Sequence, residues 1–250
     1  MSTRIGFKNS RLQNLAAVLE EPTSKREQVV VIVHGNAASK DTPTSTSLAE
    51  ALYEVGVHSF RFDQAGCGES EGEYVNSTIT AAIQDLHAAI TTVRALGYRN
   101  IQLFGSSMGA LINIATALEY RGGISKLAML SPVVDPVELV HRFFGAKGME
   151  RWQSDGHIDY DPGDGRQLRI GYGFYLDAQR HVMNGRLMTM QQPTLIVHGE
   201  DDPIVPLQQA VQLAAELPRA YLHVVRGVPH DWSNEDHRRQ ANERFVEWFR

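Results

Sequence analysis

A serine framed two residues away on either side by glycine, Gly105-Ser106-Ser107-Met108-Gly109, lies between an apolar run at 101–104 and a helical run at 110–120. Strand, G-x-S-x-G and helix in that order describe a sharp turn that lifts the central hydroxyl to the sheet edge, above a helix N-terminus. Ser107 is the centred serine. Ser106 has Phe104 and Met108 two residues away and fits no such frame. A serine hydroxyl is a weak nucleophile near neutral pH. It needs a base, and the base needs a third group to orient it.

Ten histidines compete for the role of base. His230 lies in Gly227-Val228-Pro229-His230-Asp231-Trp232, between the last apolar run and the closing helical stretch. Loops at the carboxyl ends of strands are where an open α/β sheet gathers its site residues, so His230 is the chosen base. His34 and His198 end apolar runs just before Gly35 and Gly199, where hydrogen-bonded structural histidines are the plainer reading. His58, His87, His141, His181 and His223 fall in strand or helical segments, and His157 and His237 are weaker competitors. In this chain order the acid falls between serine and histidine. Asp202, in Gly199-Glu200-Asp201-Asp202-Pro203-Ile204-Val205-Pro206, is the choice. Glu200 and Asp201 read as turn charges, and Asp135 is the other position from which a carboxylate can reach the base. For the oxyanion of a tetrahedral intermediate, the donors expected are the backbone N–H groups of Asn36, in Val33-His34-Gly35-Asn36-Ala37, and of Met108, the residue after the nucleophile.

The elements that must position these groups follow from hydrophobic period. Short apolar runs at 29–33, 57–62, 101–104, 127–130, 194–197 and 221–225 read as buried strands. Between them, Ile79, Ile83, Leu86, Ile90 and Val93 step by three and four, as do Leu207, Val211 and Ala214. Such alternation predicts a mostly parallel sheet with helices on both faces, since parallel neighbours need a crossover. Residues 5–7 and 12–19 flank Lys8-Asn9-Ser10-Arg11 and predict a leading antiparallel hairpin. From Asn234 on, Ala241, Phe245, Trp248 and Phe249 share one stripe of a closing helix. Residues 135–192 interrupt the alternation. They hold a hairpin, 157–160 and 168–172, around Asp161-Pro162-Gly163-Asp164-Gly165. The expected division is a core of 1–134 and 193–250 with a cap insertion at 135–192.

Composition narrows the function classes. The 250 residues carry 24 Lys+Arg against 29 Asp+Glu, a formal charge of −5, which disfavours an electrostatic grip on nucleic acid or anionic membrane. No apolar run approaches the roughly 20 residues needed to cross a bilayer, so no membrane insertion is expected. Zinc spacings, a Walker-type loop and G-x-G-x-x-G are missing, so no metal or organic cofactor is expected. The lone Cys67 reads as a small apolar residue of a Gly-rich turn. One cysteine and no signal-like N-terminal stretch fit a reducing cytoplasm.

Together with Asp63-Gln64-Ala65-Gly66-Cys67-Gly68-Glu69-Ser70, these motifs resemble the α/β-hydrolase superfamily over nearly the whole chain. The resemblance implies an α/β-hydrolase fold with Ser107 as nucleophile, Asp202 as acid and His230 as base. In haloalkane dehalogenases of that fold the nucleophile is aspartate, so Ser107 points away from that branch; C–C hydrolases and cofactor-free haloperoxidases share the serine. Residues 63–74, Leu130-Ser131-Pro132-Val133 and Gly173-Phe174-Tyr175-Leu176 are similar to the cinnamoyl/feruloyl esterase group and to monoacylglycerol lipase-like and serine aminopeptidase-like hydrolases. That similarity implies an acyl or aromatic pocket built partly by the insertion, with Trp152, Tyr172, Phe174 and Tyr175 as candidate lining. The competing reading is that these aromatics form the insertion's own small core. The expected function is a serine esterase acting on a small-molecule ester, short-chain or aryl (feruloyl-type). Thioester and amide hydrolysis are its enzymatic neighbours, and a small-ligand receptor on the same fold is the alternative outside catalysis.

Overall fold

The computed structural model describes residues 1–23, 25, 27–120, 122–183 and 185–250. The β-branched run Val29, Val30, Val31, Ile32 and Val33 is buried on both faces, as a central parallel strand requires. It belongs to β3 (Gln28–Val33). With β1 (Ser2–Lys8), β2 (Asn14–Glu20), β4 (His58–Phe62), β5 (Asn100–Ser106), β6 (Ile124–Leu130), β9 (Thr194–Gly199) and β10 (Ala220–Val225), it forms an eight-stranded sheet in the order β1-β2-β4-β3-β5-β6-β9-β10. The β1–β2 and β2–β4 pairs are antiparallel and all others parallel. The leading hairpin, the mostly parallel sheet and the alternating helices are as expected from the pattern.

Alternate residues of β3 face opposite layers. Val29, Val31 and Val33 meet Ile83, Leu86, Ile90 and Leu111 of α2 (Ile79–Ala95) and α3 (Met108–Glu119). Val30 and Ile32 meet Leu48 and Leu52 of α1 (Pro43–Glu54), and Phe245 and Phe249 of α7 (Glu235–Phe249). A helix with apolar residues on every side belongs inside a fold, and α3 is buried almost throughout. The closing stripe is buried at Ala241, Phe245 and Phe249, whereas Trp248 is half-exposed and donates its indole N–H to the Leu127 carbonyl at 3.0 Å.

Between β6 and β9 lie α4 (Pro136–Asp155), kinked at Gly145, an antiparallel pair of β7 (His157–Tyr160) and β8 (Leu168–Gly171), and α5 (Gly173–Ala178); α6 (Leu207–Glu216) follows β9. This segment is tied to the sheet layers by polar bonds. Asp177 of α5 accepts from the Thr80 N–H and hydroxyl at 2.8 and 2.7 Å, closing the first turn of α2. The order β4-β3-β5 reverses direction at β3, so the carboxyl ends of β3 and β5 flank a switch point, where an open sheet offers a crevice.

Candidate active site

Ser107 follows β5 at that crevice with φ +53 and ψ −119, a left-handed value for a residue bearing a Cβ. The flanking glycines are sterically demanded. A Cβ on Gly105 would lie 2.5 Å from the Gly109 carbonyl carbon, and one on Gly109 would lie 2.3 Å from the Val33 carbonyl oxygen. The turn is pinned by Ser107 N–H to Leu130 O at 2.8 Å, and by Val133 N–H to Ser107 O at 3.2 Å. Met108 opens α3, so its N–H belongs to the first helical turn, whose donors have no intrahelical acceptor and carry the positive end of the helix dipole.

Asp202 comes from the turn after β9 and is buried. Its Oδ1 accepts the Ile204 and Val205 N–H groups at 2.9 and 2.8 Å, and its Oδ2 lies 2.7 Å from His230 Nδ1. A carboxylate only accepts, so Nδ1 carries the proton. That leaves Nε2 of the neutral ring to accept from Ser107 Oγ at 3.0 Å. Burial works against the Asp202 charge, yet the His230 hydrogen bond and the two backbone donors outweigh it and hold the carboxyl below the ordinary carboxylate range. The three groups, 123 and 28 residues apart in sequence, meet in one relay.

Neighbouring contacts hold the two loops together. A Cβ on Gly199 would strike the Val228 carbonyl at 2.2 Å, and Asp201 N–H donates to that same carbonyl at 3.2 Å. Trp232, buried at 2% exposure, donates its indole N–H to Ser131 Oγ at 3.1 Å and anchors the loop that carries His230. His198 donates Nε2–H to the Val205 carbonyl at 3.0 Å, and burial keeps its pKa below the usual histidine value. The alternative acid, Asp135, is occupied as the N-cap of α4, accepting from the Val137 and Glu138 N–H groups at 2.9 Å each.

Asn36 follows β3 within a turn closed by Ala38 N–H to Gly35 O at 3.3 Å. Its side-chain oxygen accepts from the Tyr74 hydroxyl at 2.8 Å. Behind this turn, Lys40 is buried with Asp63. Lys40 N–H donates to Asp63 Oδ1 at 2.6 Å, and its ammonium reaches Asp63, Asp41 and Glu69 at 3.0, 2.8 and 2.6 Å. Asp63 Oδ2 also takes the Glu69 N–H at 2.9 Å, so the acid of the D-x-x-G-x-G loop ties two loops together. A cavity of about 360 Å³ opens beside Asn36, Ala37 and Met108 and runs past Ile112, Phe174 and Thr80.

The four aromatics of the insertion pack together, and one of them also reaches the cavity: Phe174 lines it while stacking on Trp152 with ring centroids 6.5 Å apart. Trp152 is fully buried, donates its indole N–H to the Ile170 carbonyl at 2.8 Å, and has Phe144, Tyr172 and Tyr175 packed around it with ring centroids 5.1, 5.9 and 6.1 Å away. That places Trp152 in the core of the insertion. Sequence reading did not single out Tyr74, Tyr160 or Arg166, all close to Asn36 and Ala37; no local spacing marks them. Among the described residues no group of three or more His, Cys, Asp or Glu is placed to hold a metal ion, and no helix is long and apolar enough to cross a membrane.

Residues 24–160, more than half of the chain, match the family described as serine aminopeptidase, S33, and residues 138–235 match the family described as alpha/beta hydrolase fold. The chain is 25% identical over 229 residues to the lysophosphatidylserine lipase ABHD12 of Danio rerio, covering 84% of this chain and 53% of that protein. It is 21% identical over 190 residues to the mitochondrial palmitoyl-protein thioesterase ABHD10 of Mus musculus, covering 75% and 63%. It therefore spans less than two thirds of the length of either relative. Over 249 residues it is 25% identical to a 2-hydroxy-6-oxononadienedioate/2-hydroxy-6-oxononatrienedioate hydrolase of Pseudomonas putida, covering 86% and 85%. The fold superposes on Est1E from Butyrivibrio proteoclasticus, solved with ferulic acid bound, with a TM-score of 0.86 at 23% identity, covering 98% and 97% of the two chains.

Proposed function

The chain belongs to the serine aminopeptidase S33 family and is a hydrolase of the α/β-hydrolase fold, and from that premise we propose that it cleaves carboxylic esters through an acyl-enzyme on Ser107. The observation that carries this reading is the relay of Ser107 Oγ, His230 and Asp202 at 3.0 and 2.7 Å, beside the N-terminus of α3.

In the proposed reaction Ser107 Oγ attacks the ester carbonyl as its proton passes to His230 Nε2. Negative charge gathers on the former carbonyl oxygen and is met by the Asn36 and Met108 N–H groups, the second strengthened by the α3 dipole. The imidazolium is stabilised by Asp202, gives its proton to the leaving alkoxide, and then takes one from the water that hydrolyses the acyl-enzyme. Residues 135–192 act as a cap. The cavity of about 360 Å³ beneath Phe174 suits an acyl group of modest size, short-chain or aryl.

Thioester and amide hydrolysis run through the same acyl-enzyme. The family description and the similarity to a thioesterase make these the second reading. The test is turnover of p-nitrophenyl acetate and butyrate, alongside feruloyl esters, acyl-CoA and aminoacyl amides. Wild type should prefer an ester and label with a fluorophosphonate probe, and Ser107→Ala should do neither while keeping its fold. Undiminished turnover by Ser107→Ala would reject the assignment, and an amide or thioester preference would select the second reading.

A further inference from the structure

The turn 35–38 holds Ala37 at φ +54, a left-handed conformation that an L-residue adopts at a cost, so something outside the turn must keep it there. Returning Ala37 to negative φ by rotation about its N–Cα bond would swing the Ala37 carbonyl away and distort the turn that carries the Asn36 N–H. Against this relaxation stands one long-range contact: Arg166 Nη2 donates to the Ala37 carbonyl from a position 129 residues away. We propose that Arg166, in the β7–β8 connection, is a positioning residue that sets the turn presenting the Asn36 N–H to the developing oxyanion; this rests on the esterase reading above.

Asp164 braces Arg166 from two residues away in the same connection. Its carboxylate takes Arg166 Nε at 3.0 and 2.8 Å through its two oxygens and Nη2 at 2.6 Å, while its Oδ1 also accepts the Arg166 backbone N–H at 3.1 Å. The guanidinium is thereby aimed, and its charge is balanced. A balanced guanidinium is a poor receptor for a substrate anion but remains a good donor to a carbonyl. Tyr160, on β7 of the same hairpin, lies against the Asn36 side chain, which Tyr74 engages at 2.8 Å. A Cβ on Gly171 of β8 would meet the Val75 carbonyl at 2.5 Å, so the hairpin sits directly on the segment that bears Tyr74. The insertion thus holds the Asn36–Ala37 pair from its main chain and its side chain together.

The prediction concerns the transition state and not ground-state binding. Displacing a donor by a fraction of an ångström weakens the charge stabilisation that appears only as the tetrahedral species forms. For p-nitrophenyl acetate, Arg166→Ala should lower kcat about 10- to 100-fold with KM within about threefold of wild type, and should weaken binding of a trifluoromethyl ketone by the same factor as kcat/KM. Arg166→Lys, which keeps one donor, should recover part of the loss, and Asp164→Asn should show a smaller loss of the same pattern. Arg169→Ala, an exposed residue of the same hairpin paired with Asp159 at 3.4 Å, should match wild type. A loss confined to KM, or unchanged ketone affinity, overturns the proposal. Should Arg166→Ala fail to fold, wild-type kinetics in both Arg166→Lys and Asp164→Asn overturn it equally. A wild type inert to ester and to fluorophosphonate overturns both readings, whereas an active wild type with unaltered Arg166→Ala kinetics overturns this one alone.

Discussion

Asp202 divides its carboxylate between the backbone and His230: Oδ1 is held by the Ile204 and Val205 N–H groups, and Oδ2 faces His230 Nδ1 at 2.7 Å. The oxygen that faces His230 is therefore held indirectly, through a carboxylate whose other oxygen is fixed by two main-chain donors. The neighbouring Asp201 and Glu200 are exposed, and their backbone N–H groups serve to join the acid turn to the His230 loop.

Asp202→Asn tests this division. An amide that keeps its oxygen on the Ile204 and Val205 donors turns an N–H₂ group toward Nδ1, so the ring must accept there and carry its proton on Nε2, facing Ser107. The base is then lost while the ring stays in place. Turnover of p-nitrophenyl acetate should fall roughly ten-thousandfold, with a far-UV spectrum like wild type. Activity above about a tenth of wild type would remove Asp202 from the relay.

Ser107 sits in a region of backbone space that costs a residue with a Cβ on the order of 1–3 kcal/mol. Ser107→Ala keeps that strain, whereas Ser107→Gly releases it and gives back part of the gain as unfolded-chain entropy. Both variants should be inactive, and the glycine variant should be more stable by about 1 kcal/mol in urea unfolding. Equal midpoints would show that the turn stores no strain at this residue.

The strands and the serine turn are legible in the chain because their causes are local. The run of Val29, Val30, Val31, Ile32 and Val33 has no amphipathic alternation, and Gly105 answers a clash with Gly109 four residues on, although the clash that Gly109 answers, with Val33 at the end of β3, is distant in sequence and shows only as the second glycine of the spacing. Helix α1 is less legible, since Leu48, Ala49 and Leu52 give it a short apolar face among Pro, Thr and Ser. In the acid turn, chain order narrows the choice to a segment, but the Ile204 and Val205 donors decide which carboxylate is pinned. The aromatics of 135–192 show the limit of pattern. Trp152 and Phe174 have the same composition signal and stack on each other, yet only Phe174 also lines the cavity, because packing decides which ring edge is left facing it. The Arg166 contact with Ala37 has no local signature at all.

Cys67 lies in the Gly-rich loop and lines the cavity, which invites a reactive reading. Burial, reinforced by the Asp63 charge, pushes its thiol up to about 12, so the thiolate that would react is scarce near neutral pH. Native protein should resist iodoacetamide and Ellman's reagent and should react with one equivalent only after unfolding. Cys67→Ala should retain most of the wild-type turnover of p-nitrophenyl acetate. Rapid native modification that abolishes turnover would contradict this.

His34 provides a test of acid sensitivity. Its Nδ1–H donates to the Gly35 carbonyl at 2.8 Å and its Nε2 accepts the Gln64 N–H at 3.1 Å, so the neutral ring is fully used and a second proton would set two N–H groups face to face. Burial holds its pKa below the ordinary histidine value even though the Gly35 carbonyl favours the cation. Burial likewise lowers His198, His181, His87 and His223. Unfolded histidines take up protons near about pH 6.5, and the folded chain refuses them until the pH falls further, so unfolding gains protons and stability drops as pH falls through that window. The Asp85 carboxyl, raised by burial, and the Asp202 carboxyl, held low, act in opposite senses and in the lower, carboxylate range. Urea unfolding at about pH 7.5, 6.5 and 5.5 should therefore give a steadily falling free energy, and His34→Gln, which keeps a donor and an acceptor but does not titrate, should flatten the slope. A free energy that is level or rises toward about pH 5.5 would show that these rings are charged in the folded chain.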